Sequence, residues 1–557
     1  MNGLQWRLTA TRRLWAPGAV PSQPLLEPDR TLREPHGKID FPKPGKEIGP
    51  LFEVLGWALF PNSPTASVEV TVGGKALGRA RLGLSRPDVR AHWDLDHAGS
   101  SGFQMTVLLP DAGIPKGEAE IEVVATSLDG ERLLLEPVVV EVDPDREEKE
   151  DKVPAPAPRT PLQRSALRPH VVVFTHQLNL GGGQLYLLDL LKQMVRDELA
   201  SFTLVSTLDG SLRTEIEELD IPVHITGPTA YDDLSSHVGQ IEELIAWMEG
   251  RDFDAAFVNT ATLLSTPGVE AAQAMGLPVL WAIHESFSPT FLWANISPAI
   301  RERTAAAMKA ATTLIFEAKA TQRLFEPVAG PDRCTTIPYG LDLTPIEKAR
   351  RTFNPAAARR EEGIPADAEL IVCVGTIEPR KAQLMLAHAF DVIAPRHPRA
   401  HLAFVGGKDD LDSEYLEEAI EHAKAGERMR LIPVTPEVER WYGMADLFVS
   451  ASDVESLPKT VLEAMVWETP VLATNVFGLP ELITDGETGW LCESRDLKAL
   501  ITGLTRALDS TPEERRQIGK RSRALVEERH SLPKYASEIA SLVRDAIAKK
   551  PMPSVED

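Results

Sequence analysis

The sequence is poor in the features that mark secreted and membrane-spanning proteins. Only three of its 557 residues are cysteine, and Cys334, Cys373 and Cys492 form neither a disulfide framework nor a metal-ligand spacing. It contains no run of about 18 apolar residues, so we expect no transmembrane helix. The N-terminal residues lack the apolar stretch of a secretion signal. We therefore expect a cytoplasmic protein, with peripheral contact at the inner membrane face as an open alternative.

Basic residues are also in deficit. The chain has 59 Lys and Arg against 82 Asp and Glu, which gives a net charge of −23 at pH 7. A general nucleic-acid binder needs a basic footprint, so this charge argues against nucleic acid as a partner. The hydrophobic share of 43% is ordinary for a globular protein, and the length predicts three or four domains.

Composition and periodicity divide the first third of the chain into three segments. Residues 1–44 are rich in Pro and Arg without a clear period, and we expect them to be disordered. Residues 45–143 alternate apolar and polar positions between turn signals such as Gly73-Gly74, which predicts a small β-sandwich accessory domain. Residues 144–168 are rich in charge and proline and are predicted to be a linker.

From residue 169 onward, short apolar strands alternate with helices, a pattern typical of parallel α/β sheets. One series covers residues 169–345 and a second covers residues 346–530, so two Rossmann-like domains are predicted. A last helix is predicted at 531–549, followed by a tail at 550–557. The predicted fold class is α/β, with two Rossmann-like domains preceded by a small all-β sandwich.

Two glutamates eight residues apart, Glu455 and Glu463, follow the apolar strand 445–451. Pro458 suits the first turn of a helix, so Glu455 is predicted in the loop at the carboxyl end of the strand and Glu463 on the helix. Ligands bind at this edge of an open α/β sheet, and carboxylates accept hydrogen bonds from sugar hydroxyls. Glu463 has apolar neighbours, so an unpaired inward-facing carboxylate would be costly there. A carboxylate in an ion pair on the helix face is the alternative.

Two further loops carry residue types that bind phosphate. Gly181, Gly182 and Gly183 lie between the first strand of the α/β region and its helix, where backbone N–H groups can approach an anion. Arg380 and Lys381 follow the strand that opens the second half, where fixed cations would stabilise a departing diphosphate. A tight turn and two solvated surface cations are the respective alternatives.

The ordered set of these residues, followed by Gly478-Leu-Pro-Glu481 and Asp485-Gly-Glu-Thr-Gly489, resembles glycosyltransferase family 4 over about residues 169–545. The resemblance implies the GT-B fold, in which two Rossmann-like domains face a cleft. It also implies a retaining enzyme that moves a hexosyl unit from a nucleotide-sugar, with the donor's own phosphate oxygen accepting the proton of the acceptor. The segments Arg86-Pro-Asp-Val89 and Gly102-Phe103 are similar to an immunoglobulin-like module attached to some bacterial glycosyltransferases.

The same resemblance implies roles for individual residues. The catalytic residues would be Glu455, His284 and Lys381. The donor diphosphate and sugar would contact Arg380, Lys381, Gly182, Gly183, Gly478, Leu479 and Pro480. Glu463 would bind the ribose, and Val434 and Thr435 would mark the nucleobase region. His284 ends an apolar strand, although a lone histidine is more often structural. Many relatives carry a second basic residue directly after the glycine that begins the loop of Arg380 and Lys381. In this chain that glycine is Gly375, and the residue after it is Thr376.

The implied partners are a nucleotide-diphosphate sugar donor and a glycan or lipid-linked acceptor in surface polysaccharide or glycoconjugate synthesis. The sequence has no cluster of metal ligands in its α/β region, so we expect no cofactor and no metal requirement. Two alternatives stay open. One is a nucleotide-sugar epimerase or a phosphorylase on the same fold. The other is a non-catalytic carbohydrate-binding protein whose sandwich acts as a lectin.

Overall fold

The computed structural model describes residues 32–93, 95, 97–143, 168–227, 233–293 and 296–548. Residues 1–31 of the segment that we expected to be disordered, residues 144–167 of the predicted linker 144–168 and the predicted tail 550–557 lie outside the described residues.

The accessory domain is built from two sheets, ordered β1-β3-β7-β6 and β2-β10-β8-β4-β5, with β9 beside β8. All pairs in it are antiparallel except β2 with β10. Alternate residues of β4, among them Val68, Val70 and Val72, are buried between the sheets. The elements are β1 His36–Phe41, β2 Glu47–Ile48, β3 Leu51–Leu59, β4 Thr65–Val72, β5 Lys75–Arg79, β6 Arg81–Leu84, α1 Pro87–His92, β7 Gly102–Leu108, α2 Leu109–Ala112, β8 Gly117–Ser127, β9 Arg132–Leu134 and β10 Val138–Val142.

The sandwich begins earlier than the sequence indicates. Strand β1 lies within the segment 1–44 that we expected to be disordered, and it pairs with β3 from His36 to Phe41. The expectation of disorder is therefore wrong for these residues. The sequence signal is weak because only Ile39 of β1 points into the core, so no apolar alternation is visible.

The first α/β domain has a parallel sheet in the order β13-β12-β11-β14-β15-β16-β17. Its central strands are buried on both faces, which is why they are continuous apolar runs in the sequence. The elements are β11 His170–Gln177, α3 Gly182–Arg196, β12 Ser201–Leu208, α4 Arg213–Glu217, β13 Val223–Ile225, α5 Leu234–Met248, β14 Ala255–Asn259, α6 Thr266–Ala274, β15 Val279–Ile283, α7 Pro289–Leu292, α8 Pro298–Ala310, β16 Thr313–Phe316, α9 Lys319–Ala329 and β17 Cys334–Thr336.

The second α/β domain has a parallel sheet in the order β20-β19-β18-β21-β22-β23. Its elements are α10 Leu343–Thr352, α11 Pro355–Glu361, β18 Glu369–Val374, α12 Gln383–Ile393, β19 Ala400–Gly407, α13 Leu411–His422, β20 Met429–Pro433, α14 Val438–Met444, β21 Leu447–Ser450, α15 Lys459–Val466, β22 Val471–Thr474, α16 Leu479–Leu482, β23 Trp490–Cys492, α17 Leu497–Asp509, α18 Pro512–Arg529 and α19 Leu532–Ala548. Helix α15 begins one residue after Pro458, which is its N-cap and not part of its first turn.

Both sheets have the doubly wound Rossmann strand order, so each has a point where the order of the strands reverses. In the second domain this point lies between β18 and β21, and in the first between β11 and β14. The last helix, α19, packs back onto α3 of the first domain. The α/β fold class, with two Rossmann-like domains after an all-β sandwich, is confirmed.

Candidate active site

The central feature of the site is an ion pair between two loops that meet at the reversal point of the second sheet. Lys381 ends a 3-10 turn that follows β18, and Glu455 lies in the loop that follows β21. The Lys381 ammonium donates to Glu455 Oε1 at 2.7 Å, and the Ser452 hydroxyl donates to the same oxygen at 2.9 Å. The structure therefore joins two of the three predicted catalytic residues directly.

Glu455 carries its charge in a nearly closed environment, since it is only 8% exposed. Burial by itself would raise the pKa of this carboxyl, but the ammonium of Lys381 and the guanidinium of Arg380 hold its pKa below the ordinary value. An ammonium group has three donors, and the pair with Glu455 uses one of them. Lys381 can therefore keep its carboxylate partner and still donate to an anionic ligand.

Arg380 lies beside this pair and is held by both loops. Its guanidinium donates to both carboxylate oxygens of Glu378, at 3.2 and 2.9 Å, and to the backbone carbonyl of Val454 at 3.2 Å. Burial would lower the pKa of Arg380, but Glu455 and Glu378 raise it above the ordinary value. The side chain is a fixed cation 3.5 Å from Glu455 Oε1.

The second glycine loop, at 478–480, lies against the Glu455 loop. A Cβ atom on Gly478 would fall 2.0 Å from the carbonyl oxygen of Ser456, so only glycine allows this contact. Leu479 is fully buried in the apolar core, and Pro480 is exposed. Of these three residues, Gly478 is thus the one that packs closely against the Glu455 loop.

His284 directly follows β15 and faces the glycine loop of the first domain. Its Nδ1 lies 2.8 Å from Glu317 Oε1, and its Nε2 lies 2.8 Å from Asn259 Oδ1. The Asn259 amide nitrogen donates to the carbonyl of Gly183 at 3.0 Å, which turns the amide oxygen toward the histidine. Two acceptors for two ring nitrogens favour the imidazolium. Burial would lower the pKa of His284, but the Glu317 carboxylate raises it above the ordinary value.

The two predicted glycines of the first domain have different surroundings. A Cβ on Gly183 would lie 3.3 Å from Thr260 Cγ2 and 3.5 Å from His284 Cδ2, so this glycine packs against the histidine. A Cβ on Gly182, the first residue of α3, would meet no described atom within 4 Å. Gly182 therefore presents open space at a helix N-terminus.

Glu463 on α15 has a partner that sequence reasoning missed. The hydroxyl of Tyr442, which is fully buried on α14, donates to Glu463 Oε2 at 2.8 Å. Burial raises the pKa of Glu463 above its ordinary value, and the nearby Lys459 and the Tyr442 hydrogen bond oppose this rise. The tyrosine lies one residue after Trp441 in the segment that follows the predicted nucleobase loop, and no spacing rule links it to Glu463.

Val434 and Thr435, the predicted nucleobase region, lie in the loop after β20. The Val434 side chain is 56% exposed, and its backbone N–H donates to Gly407 O at 3.0 Å. The Thr435 hydroxyl accepts from the backbone N–H of Glu437. The loop is fixed by these bonds and presents an apolar side chain to solvent.

Contacts across the cleft bring the two α/β domains together at the same place. Lys459 of α15 donates to Asp189 of α3 at 2.7 Å. The Ser456 hydroxyl lies 3.2 Å from the Thr321 hydroxyl. The carboxylate of Glu481 accepts from the first two backbone N–H groups of α9, at 3.0 and 2.8 Å. The Glu455 loop therefore lies at the interface of the two domains.

The described residues contain neither a cluster of metal ligands nor a helix that could span a membrane. No group of three or more His, Cys, Asp or Glu side chains with the arrangement of a metal site is found in the described residues. In the same part of the chain, no helix has both the length and the apolar character needed to cross a membrane. Helix α10 carries the basic pair Arg350-Arg351, and α11 carries the pair Arg359-Arg360. Arg350 donates to Glu468, and Arg359 donates to Asp446.

Both α/β domains match known glycosyltransferase families. Residues 356–525 match the family model described as Glycosyl transferases group 1, and residues 180–344 match Glycosyltransferase Family 4. A D-inositol 3-phosphate glycosyltransferase of Thermobispora bispora is 29% identical over 324 residues, which are 55% of this chain and 67% of that protein. One of Frankia alni is 33% identical over 189 residues, 32% of this chain and 46% of that protein. The chain thus spans less than half the length of the Frankia relative.

Solved structures share the fold of the α/β unit. Anabaena HepE in complex with UDP and glucose has a TM-score of 0.58 at 19% identity, and the match covers 68% of this chain and all of that one. WaaG, a glycosyltransferase involved in lipopolysaccharide biosynthesis, has a TM-score of 0.52 at 16% identity over 67% of this chain and 99% of that one. The α/β unit has the GT-B fold. The chain carries the two domains of the matched glycosyltransferase families and is a glycosyltransferase.

Proposed function

We propose that the protein is a retaining, metal-independent transferase that moves a hexosyl unit from a nucleoside diphosphate sugar to a hydroxyl of a glycan or lipid-linked acceptor. The observation that carries this proposal is the Lys381–Glu455 ion pair at the reversal point of the second sheet. The ammonium of Lys381 lies 2.7 Å from the Glu455 carboxylate, and we propose that the first stabilises a departing diphosphate and the second orients the sugar.

In the proposed reaction, the bond between the anomeric carbon and the diphosphate oxygen breaks, and negative charge develops on the leaving group. Lys381 and Arg380 stabilise that charge, because both are already fixed at the site before the donor binds. Glu455 accepts hydrogen bonds from the sugar hydroxyls. The acceptor hydroxyl attacks the face from which the diphosphate leaves, and a phosphate oxygen takes its proton, so the sugar keeps its anomeric configuration.

The remaining predicted residues bind the rest of the donor. Glu463 accepts hydrogen bonds from the ribose, with its second oxygen held by Tyr442. Gly182 and Gly183 offer the N-terminus of α3 to the donor phosphates or the acceptor. His284, as an imidazolium held by Glu317, supplies a further positive charge on the side of the first domain. We place the nucleobase near Val434 and Thr435.

The names of relatives suggest substrates with which to begin. HepE was solved with UDP and glucose, and the curated relatives are named for D-inositol 3-phosphate. We therefore propose UDP-glucose as the first donor and inositol 3-phosphate as the first acceptor to be assayed. We also retain the proposals of surface polysaccharide or glycoconjugate synthesis, of a cytoplasmic location and of peripheral membrane contact.

Calorimetric titration of UDP, GDP and ADP in the presence of EDTA tests the donor site. We expect one nucleotide to bind and Lys381→Ala to weaken it by about 10-fold to 100-fold, because the variant loses a charge-assisted hydrogen bond. Lys520→Ala, a change of an exposed lysine on α18, is the matched control and should bind as wild type does. Equal binding to both variants, or binding that requires a divalent cation, would contradict the proposed site.

A further inference from the structure

The accessory sandwich rests directly on the second α/β domain. Strand β6 packs against α12, and β4 packs against α17. A Cβ on Gly83 of β6 would lie 3.5 Å from the backbone nitrogen of Met385, so the strand approaches the helix closely. Helix α12 begins at Gln383, two residues after Lys381. The sandwich is thus in contact with the element that follows the phosphate-binding loop.

One side chain of the sandwich reaches the Glu455 loop itself. Arg81, the first residue of β6, donates through Nε to Asp453 Oδ2 at 2.8 Å. The Asp453 side chain is 1% exposed, and its other oxygen has no hydrogen-bond partner among the described residues. Arg495 is the second cation, with its Nε 3.4 Å from the same Oδ2. A buried carboxylate is costly without a counter-charge, so Arg81 supplies much of what keeps Asp453 in place.

Asp453 lies between the groups that make up the proposed donor site. Its backbone N–H donates to the carbonyl of Arg380 at 2.7 Å, and the carbonyl of the next residue, Val454, accepts from the Arg380 guanidinium at 3.2 Å. The residue before it, Ser452, donates to Glu455 at 2.9 Å. A shift of Asp453 would therefore move both Arg380 and Glu455.

We infer that Arg81 of the sandwich is a positioning residue for glycosyl transfer, because its ion pair with Asp453 holds the loop 452–455 in the geometry that presents Glu455 and Arg380 to the donor. The inference rests on the proposed function of those two residues. On this view the sandwich completes the active site and is neither a spacer nor a separate lectin module. The loop and the sandwich are far apart in the sequence and are joined at this point by a buried charge.

The same interface offers a matched control. Arg90 of α1 donates to Glu418 of α13 at 3.2 Å, so it also joins the sandwich to the second α/β domain. Both of these side chains are well exposed, at 33% and 43%, and neither contacts the Glu455 loop. Loss of this pair would test what a mere docking contact contributes.

The first measurement is hydrogen exchange followed by mass spectrometry on full-length Arg81→Ala, Arg81→Lys and Arg90→Ala. We expect Arg81→Ala to speed exchange in the peptide that contains Asp453 and Glu455 by about tenfold, since the buried Asp453 carboxylate loses one of its two counter-charges. Arg90→Ala should leave that peptide unchanged. Equal exchange in Arg81→Ala and Arg90→Ala would overturn the inference. If Arg81→Ala does not fold, the comparison is made with Arg81→Lys, which keeps the charge but shortens the reach. Faster exchange of this peptide in Arg81→Lys than in Arg90→Ala would support the inference, and equal exchange would overturn it.

The second measurement is turnover with UDP-glucose, GDP-glucose or ADP-glucose, whichever donor the wild type uses. We expect kcat to fall between about tenfold and 100-fold in Arg81→Ala, with the nucleotide Kd changed by less than about threefold and partial rescue in Arg81→Lys. Arg90→Ala should keep wild-type kcat. A fall in kcat that Arg90→Ala matches would contradict the inference. If wild type turns over no donor while the exchange result is obtained, the proposed function and the positioning of its catalytic groups both fail, and only the role of Arg81 in holding the loop 452–455 stands.

Discussion

The substitution Lys381→Met removes the ammonium that lies 2.7 Å from Glu455 Oε1 and keeps a side chain of similar length. The carboxylate left behind is 8% exposed and retains the Ser452 hydroxyl at 2.9 Å and the Arg380 guanidinium at 3.5 Å. Removing one partner of a buried ion pair costs about 3–5 kcal/mol, and because Arg380 remains we expect about 2–3 kcal/mol here. For a domain of this size, that free energy lowers the melting temperature by roughly 4–12 °C.

Differential scanning calorimetry on a double-mutant cycle provides the assay. Glu455→Gln in the Lys381→Met background removes a buried charge that has lost its nearer cation, so the double variant should melt above Lys381→Met. Lys520→Met controls for the loss of an exposed lysine. Because the pKa of Glu455 is depressed in the folded state, the pair's contribution is present above pH 4.5 and is lost as pH falls through the folded pKa. Additive effects of Lys381→Met and Glu455→Gln on the melting temperature would contradict the expected coupling of the ion pair. A difference in melting temperature between wild type and Lys381→Met that persists below the folded pKa of Glu455 would contradict it too.

Three more outcomes follow from the geometry. Glu317→Gln should lower the pKa of His284, which the Glu317 carboxylate raises above 6.5; the pair's stabilisation is full below 6.5 and is lost as pH rises through the folded pKa, and NMR titration of the labelled histidine measures this shift. Gly478→Ala should cost about 1–3 kcal/mol and reduce turnover because its Cβ would strike a backbone carbonyl of the Glu455 loop, whereas Gly239→Ala, which meets no described atom within 4 Å, should not destabilise in a thermal melt. Burial raises the pKa of Cys373 to about 12, so iodoacetamide at pH 8 should leave this thiol unmodified in the folded protein; rapid labelling would contradict the packing of β18.

Much of the α/β unit was predictable because its strands are buried on both faces and appear as short apolar runs. Lys381 and Glu455 are 74 residues apart, yet each follows a strand that the pattern identifies, and the carboxyl ends of parallel strands share one edge of the sheet. The same rule applies to His284. It would also have found Asn259 and Glu317, since one ends β14 and the other follows β16.

Contacts made by side chains from helices and from the sandwich were not predictable in this way. The pair of Tyr442 and Glu463 joins two helices whose relative rotation is set by packing, and no spacing in the sequence encodes it. Arg81 and Asp453 are 372 residues apart, and the sequence of the sandwich does not say which of its faces docks. For β1, a single buried residue was too little for the alternation of a strand to be visible.

The site formed by Lys381 and Glu455 is tested most directly by NMR of the anomeric proton of the sugar during the reaction. The enzyme is given UDP-glucose and inositol 3-phosphate, then GDP-glucose and ADP-glucose. We predict release of nucleoside diphosphate in the presence of EDTA, a product with the anomeric configuration of the donor, and loss of both in Glu455→Gln. A product of inverted configuration, or undiminished transfer by Glu455→Gln, would contradict the assignment of the site formed by Lys381 and Glu455.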